Sequence, residues 1–281
     1  MKPILKWAGG KHRIREKIFG QFPSQIKNYW EPFLGSASLA LEVYQRTNAN
    51  LFLSDINNDL IYFYQHVKDK NELLRTQILE LKTIFGLSDW LDAYLNFRRQ
   101  FNASPVGSLE RSALFYFLNK TSFNGLTRYN SKGKFNVPFG KRDFIPDTEE
   151  ICRFGSFLND KRVHICHQDY LAIAPEAGDM VYLDPPYHPL NKTSSFTSYH
   201  TNDWNESNEL ELKEFCDKLT NQKTFFIVSN NDVEFMRNLF AGYEFVSLEV
   251  RKSVGAKKET RKLSGEIFIL NALQMQNPPV G

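Results

Sequence analysis

The sequence predicts an α/β fold, with a mostly parallel sheet covered by helices on both faces and a largely helical insert. Three observations predict it. Seven short apolar runs are spread along the chain, and those near its ends alternate with segments of helical periodicity. Several runs are almost continuously apolar, as strands buried on both faces must be. Between the second and third run lies a stretch of about 90 residues that is mostly helical in pattern. The chain length of 281 residues suits one large domain, or a domain with a smaller insert.

Taken in order, residues 29–33 form a strand that enters a loop at Gly35. Residues 36–46 follow as a helix, with Leu39, Leu41 and Val43 among its apolar positions. Residues 51–55 form a second strand, which ends on Asp55. Residues 57–101 read as a helical stretch, with apolar residues such as Leu60, Tyr64, Val67, Leu73, Ile78 and Leu81. Residues 110–118 read as a short apolar helix. Residues 121–141 are rich in Asn, Gly, Lys and aromatics and have no clean periodicity, which describes an ordered functional loop. Strands resume at 163–166, 180–183 and 224–228. The runs 243–250 and 266–270 flank a basic loop around Gly255 and read as a hairpin at the sheet edge. The expected division is one domain from 1–56 and 146–281, with an insert at 57–145.

Composition excludes whole classes. With 42% hydrophobic and 24% charged residues the chain is not disordered. No apolar run approaches the roughly 20 residues of a spanning helix, so no membrane partner is expected. The opening Met1-Lys2-Pro3-Ile4-Leu5-Lys6-Trp7 lacks the apolar stretch of a secretory signal. Cys152, Cys166 and Cys216 are widely spaced without a C-x-x-C pair. They read as reduced core thiols of a cytoplasmic chain. His164 and His167 lack further ligands nearby, so no metal is expected. The net charge of +3 conceals a strong segregation. Residues 111–142 carry +7, with Arg111, Lys120, Arg128, Lys132, Lys134, Lys141 and Arg142 and no acid. Residues 251–262 carry +5, leaving −9 on the rest. Such segments are either solvated loops or a footprint for a phosphate backbone. The 14% aromatic content suits a packed core, and it also suits stacking on bases.

Open α/β sheets bind ligands beyond the carboxyl ends of their strands. Three such ends carry polar chemistry here. In Pro32-Phe33-Leu34-Gly35-Ser36-Ala37, Gly35 permits close backbone approach and the next helix presents its N-terminus. Asp55 lies twenty residues beyond Gly35, an offset at which an acid can take both ribose hydroxyls of an adenosine-containing cofactor. A helix cap is the alternative for Asp55. The most specific signal is Asp184-Pro185-Pro186-Tyr187, directly after an apolar strand. Its prolines remove two amide donors and stop the strand. The Pro185 carbonyl and the Asp184 carboxylate then offer two acceptors for the two hydrogens of one amino group. Tyr187 offers a face on which a planar base can stack.

This tetrapeptide resembles the catalytic motif of amino-methyltransferases that use S-adenosylmethionine. Further motifs resemble one family, the Dam family of DNA adenine-N6 methyltransferases. They are Lys6-Trp7-Ala8-Gly9-Gly10-Lys11, Glu31-Pro32-Phe33-Leu34-Gly35, Ser54-Asp55-Ile56-Asn57, Leu118-Asn119 with Phe123-Asn124-Gly125-Leu126, Arg128-Tyr129-Asn130 and Phe135-Asn136-Val137-Pro138-Phe139-Gly140. The resemblance spans nearly the whole chain and departs at Ala37, where many members have a second glycine. It implies a Rossmann-like methyltransferase sheet of seven strands with the insert as DNA-recognition element. It also implies that Trp7 and Lys11 grip the methionine end of S-adenosylmethionine, Lys11 through the carboxylate. Pro32, Phe33 and Gly35 would lie along the cofactor, Asp55 would take the ribose, and Asp169 with Tyr170 would hold the adenine. Core packing is the alternative for Trp7, and a cap for Asp169. In DNA, Arg128 would contact a guanine edge, unless it holds only a phosphate. Leu126 would touch a thymine methyl, and Phe123 would fill the stack left by a flipped base. Asn124 would hold the orphan partner or a phosphate, and Pro138 would add a base contact. Lys6 would reach the outer guanine of GATC.

The expected enzyme transfers methyl groups to adenine in double-stranded DNA by base flipping, as a monomer, in a housekeeping or restriction-linked role. Three alternatives remain open on sequence. They are an amino-methyltransferase acting on RNA or cytosine N4, a silent DNA-binding protein, and a nicotinamide oxidoreductase.

Overall fold

The computed structural model describes residues 1–11, 14–188, 204–248 and 265–271. Seven strands form one mixed, mostly parallel sheet in the order β3-β2-β1-β4-β5-β7-β6. A short helix α1 (Arg15–Phe19) precedes the first strand. Contacts divide the chain into two compact units. The expected basic segment 251–262 and the end of the strand expected at 243–250 lie outside the described residues.

The first unit holds residues 1–16 and 32–173. Its strands β2 (Asn50–Asp55) and β3 (Val163–His167) run parallel, with Leu51 opposite Val163 and Asp55 opposite His167. Its helices are α2 (Ser38–Arg46), α3 (Asn58–Asp69), α4 (Asn71–Gly86), α5 (Trp90–Ala103), α6 (Leu109–Thr121) and α7 (Thr148–Leu158). The helical stretch expected over 57–101 is therefore three helices, separated at Lys70 and at 87–89. Side-chain caps start most of them. Asn57 Oδ1 accepts from Leu60 N, Asp89 from Leu91 and Asp92 N, Ser108 Oγ from Arg111 N, and Asp147 from Glu150 N. Helix α2 begins two residues later than expected, because Ala37 before it has a left-handed backbone with φ 59°.

Helix α6 is buried from Arg111 to Asn119, so neighbours cover it on nearly every side. Phe85, Tyr94, Phe97 and Phe144 surround Phe117 in edge and tilted contacts with ring centroids 4.8–6.3 Å apart. The aromatic surplus is thus core in this unit. Arg111 corrects the sequence reading. It is buried against Asp59, with Nε and Nη2 donating to the two carboxylate oxygens at 2.6 and 3.1 Å. Its charge is spent inside the fold and belongs to no surface footprint.

The loop after α6 has little regular structure, only a single 3-10 turn at Phe123–Gly125 and two isolated bridges, Ser122 with Phe139 and Tyr129 with Phe135. Asparagine side chains replace a ladder. Asn102 accepts from Phe135 N at 2.8 Å and donates to Phe135 O at 3.1 Å. Asn130 Oδ1 accepts from Lys132 and Lys134 N. Such bracketing satisfies backbone groups that no strand partner reaches.

Of the described residues, the second unit holds 17–31, 174–188, 204–248 and 265–271. It contains β1 (Asn28–Glu31), β4 (Met180–Leu183), β5 (Phe225–Asn231), β6 (Glu244–Leu248) and β7 (Glu266–Leu270), with helices α8 (Glu206–Asn221) and α9 (Glu234–Leu239). Strands β1, β4 and β5 are parallel, and every residue of β4 is buried. β6 and β7 pair antiparallel as the hairpin pattern predicts, but β7 lies inside, against β5, and β6 takes the edge. At the opposite end of β1 and β4, Asp179 accepts from Asn28 Nδ2 and Trp30 Nε1.

Candidate active site

The predicted residues fall on both units. In the first unit, Gly35 is the centre of a tight arrangement. Its φ is +48°, and a Cβ there would lie 2.6 Å from Trp7 Cδ1. Only glycine lets the indole lie on this loop. The Gly35 N–H donates to Asp55 Oδ2 at 3.0 Å, and its carbonyl accepts from Tyr64 Oη at 2.9 Å. Asp55 Oδ1 accepts from Asn57 N at 2.9 Å. Asp55 is therefore a brace for the glycine loop, and the cap of α3 is Asn57. Burial pushes the Asp55 carboxyl above the usual range, against the pull of these backbone N–H groups. Pro32 is buried and Phe33 half-buried.

Trp7 and Lys11 come from a tight turn in which Gly10 N donates to Trp7 O at 3.2 Å. Lys11 is only 5% exposed, and its Nζ donates to Gly9 O at 2.7 Å. Tyr170 packs on Phe33 with centroids 5.2 Å apart. Asp169 caps a 3-10 turn by accepting from Leu171 N at 2.9 Å.

The predicted DNA contacts gather around the insert loop. Asn119 brackets Lys6, accepting from its N–H at 2.9 Å and donating to its carbonyl at 2.7 Å. The Lys6 side chain runs over Gly125, where a Cβ would lie 2.5 Å from Lys6 Cδ. Burial, and then Arg142, lower the Lys6 pKa. Lys120, over the Tyr116 ring, falls to about 8 through burial and then repulsion from Lys6. Phe123 is 52% exposed, an unusual position for a large apolar ring outside a core. Asn124 is exposed at φ 55°, and Phe123 N donates to Pro138 O at 2.9 Å. The Leu126 carbonyl accepts from Ser122 Oγ. Arg128 is aimed by Asn136, whose Oδ1 accepts from Nε at 2.7 Å and whose carbonyl accepts from Nη2 at 3.3 Å. Tyr129 Oη donates to Asp59 Oδ2 at 2.6 Å.

In the second unit, Asp184-Pro185-Pro186-Tyr187 leaves the end of β4 between two parallel neighbours, β1 and β5. The buried Glu31 ends β1 and accepts from Tyr29 Oη at 2.8 Å. Tyr182 Oη shares a hydrogen bond with Ser229 Oγ on β5 at 2.7 Å. The Tyr187 hydroxyl is held well above its usual range, by burial first and then by the charges of Asp184 and Glu266. Its hydroxyl also interacts with Ser229 and with Asp184 itself. Two residues that follow Ser229, Asn230 and Asn231, hold the backbone of His188. Sequence reasoning gave these three no role. The available signal was a polar triplet after an apolar strand, at the end where such sheets bind ligands.

The fold is that of a Rossmann-like methyltransferase, a sheet whose strand order turns between β1 and β4, with its acidic diproline turn at that point. Residues 7–254 match the D12 class of N6 adenine-specific DNA methyltransferases, and the chain belongs to that family. It is 36% identical to a DNA adenine methylase of Haemophilus influenzae, over 96% of this chain and 93% of that protein. It is 33% identical to the DNA adenine methylase of Escherichia coli, over 96% and 95%. It is also 34% identical to the type II methyltransferase M.MjaIII of Methanocaldococcus jannaschii, over 96% and 99%. The family decides between the readings left open by sequence, in favour of an enzyme acting on adenine in DNA.

Proposed function

We propose that this protein methylates adenine N6 within GATC in double-stranded DNA, using S-adenosylmethionine and a flipped-out target base. The observation that carries the reading is the Asp184–Tyr187 turn at the switch point of a sheet belonging to this family. The first unit has residues that fit the cofactor. Asp55 takes backbone N–H groups on both oxygens, yet a carboxylate can accept about four hydrogen bonds, which leaves capacity for ribose hydroxyls. The buried ammonium of Lys11 suits a carboxylate, and Trp7, Pro32, Phe33 and Gly35 supply flat and close-packed surface. Asp169 and Tyr170 are assigned to the adenine. When bound, the cofactor supplies an electrophilic methyl group on a positively charged sulfur.

Asp184 and the Pro185 carbonyl accept the two hydrogens of the adenine amino group. This orients the nitrogen lone pair, which is otherwise delocalised into the ring. Pro186 keeps the turn rigid, and Tyr187 stacks on the extruded base. Alignment of this kind supplies roughly 7–11 kcal/mol of barrier reduction. The insert, 57–145, is assigned to target recognition, with 1–56 and 146–281 as the catalytic domain. Arg128 and Lys6 contact guanines, and Leu126 and Pro138 contact neighbouring bases. Phe123 fills the vacated stack and Asn124 holds the orphan side. The enzyme is proposed to act as a cytoplasmic monomer without a metal.

Transfer of tritiated methyl to duplex DNA, followed by nucleoside analysis, tests the reading. N6-methyladenine confined to GATC is expected, and label in another nucleoside or another tetranucleotide would overturn it. Asp184→Ala is expected to abolish turnover and to retain salt-sensitive duplex binding.

A further inference from the structure

The geometry points to Asn230 and Asn231 as positioning residues that aim the Tyr187 ring. The inference rests on the reading of the Asp184–Tyr187 turn as catalytic. The turn has two prolines and so lacks two of the N–H groups that would anchor it to a neighbouring strand. Its exit is held from outside instead. The His188 N–H, in the peptide group that leaves Tyr187, donates to Asn230 Oδ1 at 3.0 Å. The His188 carbonyl accepts from Asn231 Nδ2 at 2.7 Å. Both polar groups of one backbone unit are therefore taken by two consecutive side chains at the end of β5, the strand beside β4. The His188 ring stacks on Phe235 of α9 at 4.5 Å and 13°. With both His188 groups and its ring fixed, the torsions on the exit side of Tyr187 have little freedom, so the Cα–Cβ bond from which its ring projects is held in place.

Asn230 is itself locked. Its Oδ1 also accepts from Asn231 N at 2.7 Å, and its Nδ2 donates to Glu209 Oε1 at 3.4 Å. A flipped amide would set Nδ2 against two N–H donors, which fixes the orientation whether Glu209 is ionised or not. Both Asn230 and Glu209 are fully buried, so water cannot substitute for a lost partner. The chain Glu209–Asn230–His188 thus passes a fixed orientation from the α8 helix to the turn.

Asn230→Asp keeps the acceptor for His188 but places a second carboxylate beside Glu209. Burial pushes the Glu209 carboxyl up to about 7, so the comparison is run above that pH, where Glu209 is ionised. There, adding Glu209→Gln restores a donor and the original net charge, with the polarity of that bond reversed. Steady-state transfer from tritiated S-adenosylmethionine to duplex DNA reads both variants, with melting temperature measured alongside. Asn230→Asp is expected to lower kcat by about tenfold or more, with the KM for the cofactor unchanged. The double variant is expected to recover most of that loss. Asn231→Ala removes only the donor to the His188 carbonyl, and it is expected to lower kcat in the same way should Asn230→Asp not fold. An unchanged kcat per folded molecule, or a double variant no better than the single one, overturns the inference. Asp184→Ala, run in parallel, separates the two failures: retained turnover there overturns the catalytic reading of the turn itself.

Discussion

Ala37 shows how one side chain can carry strain at a loop that matters. Its φ of 59° is a conformation that costs an L-residue roughly 1 kcal/mol, and glycine adopts it freely. Ala37→Gly is expected to raise stability by up to about 1 kcal/mol in urea titration, with cofactor affinity retained. The sequence showed that Ala37 departs from the family, but not that the position is left-handed. Lys120 carries a second testable burden. Its pKa of about 8 lies below the ordinary 10.5, so between those values the folded state binds fewer protons than the unfolded one. Stability therefore rises with pH across that window. Lys120→Gln is expected to flatten the rise when unfolding is followed at the two ends of the window. Nothing in the sequence distinguishes Lys120 from the exposed lysines near it, because desolvation depends on what packs over the side chain. Asp55 was legible as a residue of interest from its offset. That it braces Gly35 was not, because the partner N–H belongs to a loop twenty residues earlier.

Among the elements, the strands were the most legible. Buried β4 matches its apolar run residue for residue, since a strand covered on both faces leaves no polar position to blur its ends. β7 matches too, although it opens on the half-buried Glu266. Helix starts were less legible where no capping side chain marks them, as at α2. The insert loop was recognisable only by what it lacked. Its order comes from Asn102, Asn130 and Asn136, each holding a group that no periodic pattern announces. This gives a prediction at the same scale. Asn136→Ala removes the side-chain acceptor that aims Arg128 and leaves only the longer bond to the main-chain carbonyl. It is expected to weaken discrimination at one base pair by about 1–3 kcal/mol. Competition between cognate and single-mismatch duplexes measures it. An equal loss of affinity on all sequences would instead mark Arg128 as a phosphate contact.

At the level of the whole molecule, a running charge total along the sequence does not separate its parts. Arg111 counted toward the basic segment and yet pairs inside with Asp59, while its guanidinium lies 4.1 Å over the Phe101 ring. A positive residue in a helix and one in a loop look alike in a running total. The two roles separate in one experiment. Lys132→Gln and Lys134→Gln, on exposed positions of the insert loop, are each expected to reduce the slope of log affinity against log salt by about 0.9. Arg111→Gln leaves Asp59 buried without its cation and is expected to cost about 3–5 kcal/mol of stability. Its salt slope is expected to stay unchanged wherever the variant is folded.

The inward place of β7 bears on how a nascent chain completes this sheet. During translation β5 and β6 emerge first, but β5 gains its antiparallel neighbour only when residues 266–270 arrive. Until then the open edge of β5 is a template for another chain, and the edge carries the asparagines assigned to the turn. A released chain that ends before that strand would therefore expose the outer edge of β5 to pairing with another copy.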